Sequence, residues 1–146
     1  MKCMTAKQYL RQIRTLNRRI DSLIAEKDRL TAIAEGVSGM SYDDVKVQSA
    51  RVTPGNRQTD AVCKLIDIEE RITYEIDRYV DMREDAERYI SQLKSPVERD
   101  LLRNYYLTGL TWEQVAELML YDNRTMYKIH GRTLFHLEHL VDLSHL

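Results

Sequence analysis

Two long segments of the chain carry apolar residues at alternating intervals of three and four. In the first, from about Ala6 to Glu35, these positions are Tyr9, Ile13, Leu16, Ile20, Leu23, Leu30 and Ala34. This spacing predicts a helix with one narrow apolar seam, interrupted only by Lys27. Thr5 is suited to cap the start of the helix, and Gly36 is suited to end it because glycine readily adopts a left-handed conformation.

The second periodic segment is predicted to begin near Thr59, as an N-cap, and to extend for roughly 35 residues, or about 50 Å. Its apolar positions are Val62, Leu65, Ile68, Ile72, Ile76, Tyr79, Met82, Ala86, Tyr89, Ile90 and Leu93. Residues 36–58 lie between the two segments, and their Gly, Ser and Pro54-Gly55 predict a loop. Neither helix can bury its seam alone, so the pattern predicts a long antiparallel helical hairpin resembling a coiled coil.

The charge distribution favours this pairing, with parallel self-association of either helix as the alternative. Residues 1–35 carry eight Lys/Arg and four Asp/Glu, whereas residues 59–94 carry six Lys/Arg and ten Asp/Glu. Two long segments of opposite sign are suited to lie side by side. We therefore interpret residues 1–94 as a hairpin for oligomerisation or partner binding, with 36–58 as its linker.

The remaining residues, 95–146, predict three short helices. Ser95 is suited to cap the first, with Pro96 in its first turn and Glu98 completing a capping box. Thr111 is the predicted cap of the second helix and Asp122 that of the third, after a connection at 120–123. The inward positions of the third helix are Met126, Ile129, Thr133, Leu134, Leu137 and Leu140. The chain is thus predicted to be all-α, a hairpin followed by a helix-turn-helix.

The C-terminal segment also carries a familiar order of residues. They are Arg99, Leu102, Tyr106, Gly109, Thr111, Gln114, Val115 and Ala116, followed by Arg124, Thr125, Met126, Ile129, Arg132, Leu134 and Leu137. Residues 95–137 resemble the DNA-binding region 4 of bacterial sigma factors. The whole arrangement, including the stretch from Asp60 to Glu69, is similar to phage and prophage late-gene transcription activators of the RinA and ArpU type.

The resemblance implies that the third helix enters the major groove of double-stranded DNA with its N-terminal end first. Arg124 would then bond a guanine and Asn123 an adenine, with Thr125 beside them. Lys128 and Arg132 would contact phosphates, as would Thr111 with the amides at its helix end. The turn departs from the family pattern, because Asp122-Asn123 stand where Ser or Thr is usual and bring a negative charge towards DNA.

Several conspicuous side chains have a structural interpretation that we prefer. Trp112 and the tyrosines Tyr105, Tyr106 and Tyr127 are expected to pack rather than to stack on bases. The four histidines lack the Cys or paired carboxylates that would complete a zinc set, so no metal or other cofactor is expected. Without a phosphate-binding glycine loop, a nucleophile elbow or an HExxH motif, the sequence does not predict an enzyme.

The sequence also carries features that bear on the cellular location of the protein. The chain has no apolar run of transmembrane length, its N-terminus lacks an apolar signal core, and Cys3 and Cys63 are isolated. These features favour a location in the cytoplasm of a bacterial host, with no membrane partner. The partners we expect are double-stranded DNA, host RNA polymerase and a second copy in a homo-oligomer, most simply a dimer.

Two other functions fit the same pattern. A phage small terminase subunit also joins a helix-turn-helix to helical oligomerisation elements, although it usually places the DNA-binding part first. A protein-binding inhibitor or adaptor with a degenerate helix-turn-helix is the other alternative. The charges favour it, because residues 95–146 carry only five Lys/Arg against seven Asp/Glu and the whole chain has a net charge of −1.

Overall fold

A computed structural model of the protein describes residues 4–36 and 54–144, and describes side chains at 4–36 and 57–141. Within these ranges all regular structure is helical, which confirms the predicted all-α class. The helices are α1 (Ala6–Ala34), α2 (Pro54–Ile90), α3 (Pro96–Leu102), α4 (Trp112–Met119) and α5 (Asn123–Ser144). A π-helical turn, Arg103–Leu107, directly follows α3. Cys3 and most of the predicted 36–58 loop lie outside the described residues.

The ends of α1 agree with the sequence. Thr5 Oγ1 accepts a hydrogen bond from the Gln8 amide at 3.2 Å, and Gln8 Oε1 accepts one from the Thr5 amide at 3.0 Å. This reciprocal capping satisfies two donors that the first helical turn leaves free. Gly36 follows the last turn with φ +73°, the left-handed conformation for which glycine was predicted there.

The predicted start of α2 is wrong. The helix begins at Pro54, so Thr59 lies inside it and is not the N-cap, and residues 54–58 belong to the helix rather than to the loop. Proline suits the first helical position because its ring fixes φ at a helical value and its missing amide has no intrahelical acceptor to lose there. The helix also ends earlier than its apolar pattern suggests, at Ile90.

By their own contacts the described residues form two compact units. One combines α1 up to Arg18 with the described residues from Asp77 onward, and the other contains those from Arg19 to Ile76. Each long helix contributes one part to each unit. We call them the C-terminal unit and the hairpin unit.

In the hairpin unit, Leu30, Ile68 and Ile72 are buried against one another, with Leu23 and Leu65 packed beside them. Arg19 Nε lies 3.6 Å from Glu75 Oε1, and Lys27 Nζ lies 3.6 Å from Glu69 Oε1. Arg19 precedes Lys27 along α1, whereas its partner Glu75 follows Glu69 along α2. The two helix segments therefore run antiparallel in this unit.

The seam of α2 in the hairpin unit differs from the predicted one at two positions. Val62 and Ile76 were expected inside but are 46% and 39% exposed, whereas the neighbouring Ala61 and Glu75 are buried. Glu75 is accommodated at the seam because its carboxylate faces Arg19 of α1.

The C-terminal unit has a single apolar core to which both long helices and all three short ones contribute. Its most buried members are Leu10, Ile13, Ile90, Leu101, Leu102, Tyr106, Leu107, Val115, Met126 and Leu137. Polar contacts hold the beginning of α1 in this core. Glu138 Oε2 of α5 accepts a hydrogen bond from the Ala6 amide at 2.6 Å, and the Tyr9 hydroxyl donates to the Met82 carbonyl oxygen at 3.2 Å. The core of the C-terminal unit therefore includes the first turns of α1.

The predicted capping box at the start of α3 is absent. Ser95 occupies the N-cap position with Pro96 after it, but the Ser95 side chain makes no capping hydrogen bond. Glu98, the expected reciprocal partner, is instead buried and bonds His136 Nδ1 of α5 through both carboxylate oxygens, at 3.0 and 3.1 Å. The long-range contact to α5 thus replaces the local one.

Candidate nucleic-acid interface

Helices α4 and α5 are joined by the three residues Leu120–Asp122. Thr111 caps α4 as predicted, because its Oγ1 accepts from the Gln114 amide at 3.2 Å and Gln114 Oε1 accepts from the Thr111 amide at 2.9 Å. Leu120 ends α4 in the left-handed region, with φ 60° and ψ 36°. This single left-handed residue gives the chain the reversal that a tight helix-turn-helix requires.

Asp122 caps α5, which confirms the prediction for this position. Its Oδ1 accepts a hydrogen bond from the Thr125 amide at 2.7 Å. Hydrogen bonds from Thr125 lower the pKa of the Asp122 carboxyl below its usual value, and the positive charge of Lys128 acts in the same direction. Asp122 therefore stays ionised beside the cations at the start of α5.

The two faces of α5 are as the sequence predicts. Met126, Ile129, Thr133 and Leu137 are buried, and the Thr133 hydroxyl donates to the Ile129 carbonyl oxygen at 2.7 Å, which satisfies this buried polar group. Asn123, Arg124, Tyr127, Lys128 and Arg132 are exposed. The apolar stripe therefore turns these polar side chains of α5 away from the protein core.

Four of the six predicted DNA-contacting residues lie in the first two turns of α5. Asn123, Arg124 and Lys128 are exposed, whereas Thr125 is partly buried and its amide is held by Asp122. Among the described side chains, neither Arg124 nor Lys128 has an ion-pair partner. Their charges are therefore available to an external anion.

Arg132, the predicted phosphate contact further along α5, has a different environment. Its Nε lies 3.4 Å from Glu98 Oε1, and 60% of its side chain is exposed while the Glu98 side chain is 5% exposed. The same carboxylate also binds His136. The charge of Arg132 is thus partly balanced within the protein, which separates it from Arg124 and Lys128.

Thr111, the remaining predicted contact, is exposed and stands immediately before the residue that packs α4 against α5. That residue, Trp112, makes an edge contact with the His130 ring at 4.6 Å between centroids and a tilted contact with Tyr127 at 5.5 Å. The N-terminal end of α4 is thereby fixed beside the second turn of α5.

Four aromatic side chains of the C-terminal unit form a cluster around His130, namely Tyr105, Tyr106, Trp112 and Tyr127. Trp112 stacks on Tyr105 with ring centroids 3.9 Å apart and planes 18° apart, and Tyr105 meets Tyr106 edge-on at 4.8 Å. The predicted packing role of these three residues is confirmed. Tyr127 contacts the cluster but remains 55% exposed, so one of its sides faces solvent.

The packing of two residues in this cluster was not predicted from the sequence. His130 lies within it, and burial, together with the charge of Lys7, lowers its pKa to about 4. Arg14 of α1 places its guanidinium 4.0 Å from the centre of the Tyr105 ring. A hint was available for Arg14, because it follows Leu10 by four residues and so lies on the inward side of α1.

The end of α4 and the turn that follows it expose apolar side chains. Leu118 is 62% exposed, Leu120 is 90% exposed, and Tyr121 is 39% exposed.

Within the described residues, no group of three or more His, Cys, Asp or Glu side chains is arranged to hold a metal ion. In the same ranges, no helix has both the length and the apolar character to span a membrane.

Comparison of the chain with protein-family models, curated proteins and solved structures found no match. The resemblance to sigma region 4 and to phage late-gene activators therefore depends on the residues quoted above.

Proposed function

We propose that this protein is a sequence-specific DNA-binding transcriptional regulator of phage origin that acts on late-gene promoters. The observation that carries the proposal is the outer face of α5, where Arg124 and Lys128 lie exposed one helical turn apart, with no ion-pair partner among the described side chains. An arginine fork at the start of such a helix suits the O6 and N7 atoms of guanine, and a lysine one turn on suits a phosphate.

The capped end of α4 supports a second contact with the same duplex. The hydroxyl of Thr111 and the free amides of the first turn of α4 are suited to a phosphate. Trp112 holds this end beside Tyr127 and His130, so that Thr111 and the first turns of α5 are available to one ligand. Phosphate contacts at α4 would fix the register in which α5 meets the bases.

The proposal is tested by selecting bound sequences from random duplex DNA, with the solution mass of the protein measured in parallel. We expect one enriched sequence, a dimer or small oligomer, and an affinity that falls steeply with salt. A ring of many subunits would favour the terminase alternative. An absence of enrichment at low salt would reject specific DNA binding.

The decisive variant replaces both Arg124 and Lys128 by glutamate. We expect it to lose duplex binding while its helicity and melting temperature stay near those of the wild type, because both side chains are exposed. A matched control replaces Lys64 and Arg71 by glutamate, two exposed residues of α2, which changes the net charge equally. If the control loses binding to the same extent, net charge rather than the α5 surface governs association.

A protein-binding adaptor is the second candidate, favoured by the exposed apolar side chains of Leu118 at the end of α4 and of Leu120 and Tyr121 in the turn. Substituting Leu118 and Tyr121 by serine distinguishes the two functions. A DNA-binding role predicts nearly unchanged duplex affinity. An adaptor role predicts no duplex binding by the wild type and loss of a protein partner, such as purified host RNA polymerase, on substitution.

A further inference from the structure

Arg14 is a charged residue buried inside the C-terminal unit, with 7% of its surface exposed. Its Nη1 donates hydrogen bonds to the carbonyl oxygen of Tyr105 and to that of Leu110, the latter at 2.9 Å. Tyr105 belongs to the π-helical turn, and Leu110 belongs to the segment that connects this turn to α4. A buried guanidinium is costly unless it is hydrogen-bonded, and here two backbone carbonyl oxygens accept from Nη1.

A second contact links Arg14 to the first residue of α4. The guanidinium carbon lies 4.0 Å from the centre of the Tyr105 ring, and the same ring stacks on Trp112 at 3.9 Å. Cation–π attraction and aromatic stacking both favour these separations. Contacts thus continue from α1 through Tyr105 to the residue that immediately follows Thr111.

α1 also lies against the backbone of the same segment. Gly109 has φ +84°, and a Cβ atom at this position would come within 3.0 Å of Asn17 Nδ2, one turn after Arg14. The Tyr79 hydroxyl of α2 donates to the carbonyl oxygen of Leu107 at 2.6 Å. Side chains from both long helices therefore hold residues 105–110, which precede the proposed phosphate-binding end of α4.

We infer that Arg14 is a positioning residue of the DNA-binding surface, which fixes the N-terminal end of α4 against α5 by binding the backbone of Tyr105 and Leu110 and the ring of Tyr105. The inference rests on the proposed DNA-binding function and goes beyond it by assigning a role to a residue of α1. Arg14 itself is buried and does not contact the duplex.

The test compares Arg14→Met with Arg11→Met in the full chain. Arg11 is an exposed residue of the same helix, and its substitution removes the same charge. Methionine fills the buried site without a charge and removes both hydrogen bonds to the backbone carbonyl oxygens. Duplex affinity is measured with the selected sequence, and local geometry is measured by fluorescence of Trp112, the only tryptophan in the chain.

We expect Arg14→Met to weaken duplex binding by about tenfold or more and to shift the Trp112 emission, because two hydrogen bonds from a charged donor are lost. Arg11→Met is expected to leave the emission unchanged and to lower affinity only slightly. Equal losses of affinity in the two variants, with unchanged Trp112 emission in Arg14→Met, would overturn the inference.

Two further outcomes also decide the question. If Arg14→Met does not fold, Arg14→Lys takes its place, since lysine can still donate to one carbonyl but cannot reproduce the stacked fork. It is expected to fold with a shifted Trp112 emission and weaker binding, and wild-type values for both would overturn the inference.

If the wild type binds no duplex, the proposed function fails. A shifted Trp112 emission would then still support positioning of α4, and an unchanged one would reject it.

Discussion

The hydroxyl of Tyr106 lies 2.7 Å from Nε2 of His130, so that a tyrosine after α3 and a histidine of α5 share one hydrogen bond within the core of the C-terminal unit. Burial raises the pKa of the Tyr106 hydroxyl above its usual value, and burial lowers the pKa of His130 to about 4. Both groups are therefore neutral at physiological pH. The Tyr106 hydroxyl can donate to the unprotonated His130 nitrogen.

Burial of the neutral His130 ring predicts a loss of stability in mild acid. The pKa of His130 is about 4 in the folded protein and 6.5 in its ordinary state, so the unfolded chain takes up the proton first as the pH falls. The stabilisation is complete above pH 6.5 and is lost between there and about pH 4. Because His130 is only partly buried, we expect a loss of about 1–2 kcal/mol, less than the full shift implies.

The measurement is the free energy of unfolding across this pH range for the wild type and His130→Phe. The variant should lose much of the slope between pH 6.5 and 4. His139→Phe is the control, because His139 is an exposed histidine of the same helix. A slope that persists in His130→Phe and disappears in His139→Phe would contradict the assignment.

Lys128 and Arg132, two cations of the α5 outer face, are expected to respond differently to substitution. Lys128→Gln should weaken duplex binding and reduce the slope of log affinity against log salt by about 1, because an unpaired lysine on a phosphate releases one counterion. Arg132→Gln should change the slope less, since Glu98 already balances part of its charge. Titrations at several salt concentrations measure both, and equal slope changes would show that Arg132 leaves Glu98 on binding.

Two glycines of the C-terminal unit should give opposite effects when replaced by alanine. Gly131 is exposed inside α5, and apart from its chain neighbours and the adjacent backbone of α5, no atom of the described residues lies within 4 Å of the position its Cβ would take. Alanine there is expected to stabilise the fold by about 0.5–1 kcal/mol, because glycine in a helix interior loses more backbone entropy on folding.

Gly109→Ala is the matched counterpart. Its φ of +84° and the Asn17 amide 3.0 Å away make a Cβ unfavourable, so we expect a destabilisation of about 1 kcal/mol or more. Denaturant unfolding of both variants provides the check. Stabilisation by both substitutions would mean that the segment before α4 relaxes freely and that α1 does not hold it.

The sequence predicted most of what depends on local periodicity and capping. The spacing of Ile13, Ile20 and Leu30 predicted α1. The residue types at Thr5, Thr111 and Asp122 predicted helix caps, and in the structure each side chain accepts a hydrogen bond from the amide three residues further along the chain. The inward stripe of α5 and its exposed Arg124 and Lys128 also follow from helical geometry. Such features are set within one or two turns of a helix and need no tertiary information.

The failed capping box of α3 and the missed role of Arg14 both depend on contacts distant in sequence. Glu98 bonds His136, 38 residues away, because its carboxylate is buried and Nδ1 of His136 lies within hydrogen-bonding distance of both carboxylate oxygens. Arg14 reaches a carbonyl 91 residues away and so joins α1 to the core of the short helices. Periodicity places such side chains on a face of a helix, but only the packed structure decides which groups come to face them.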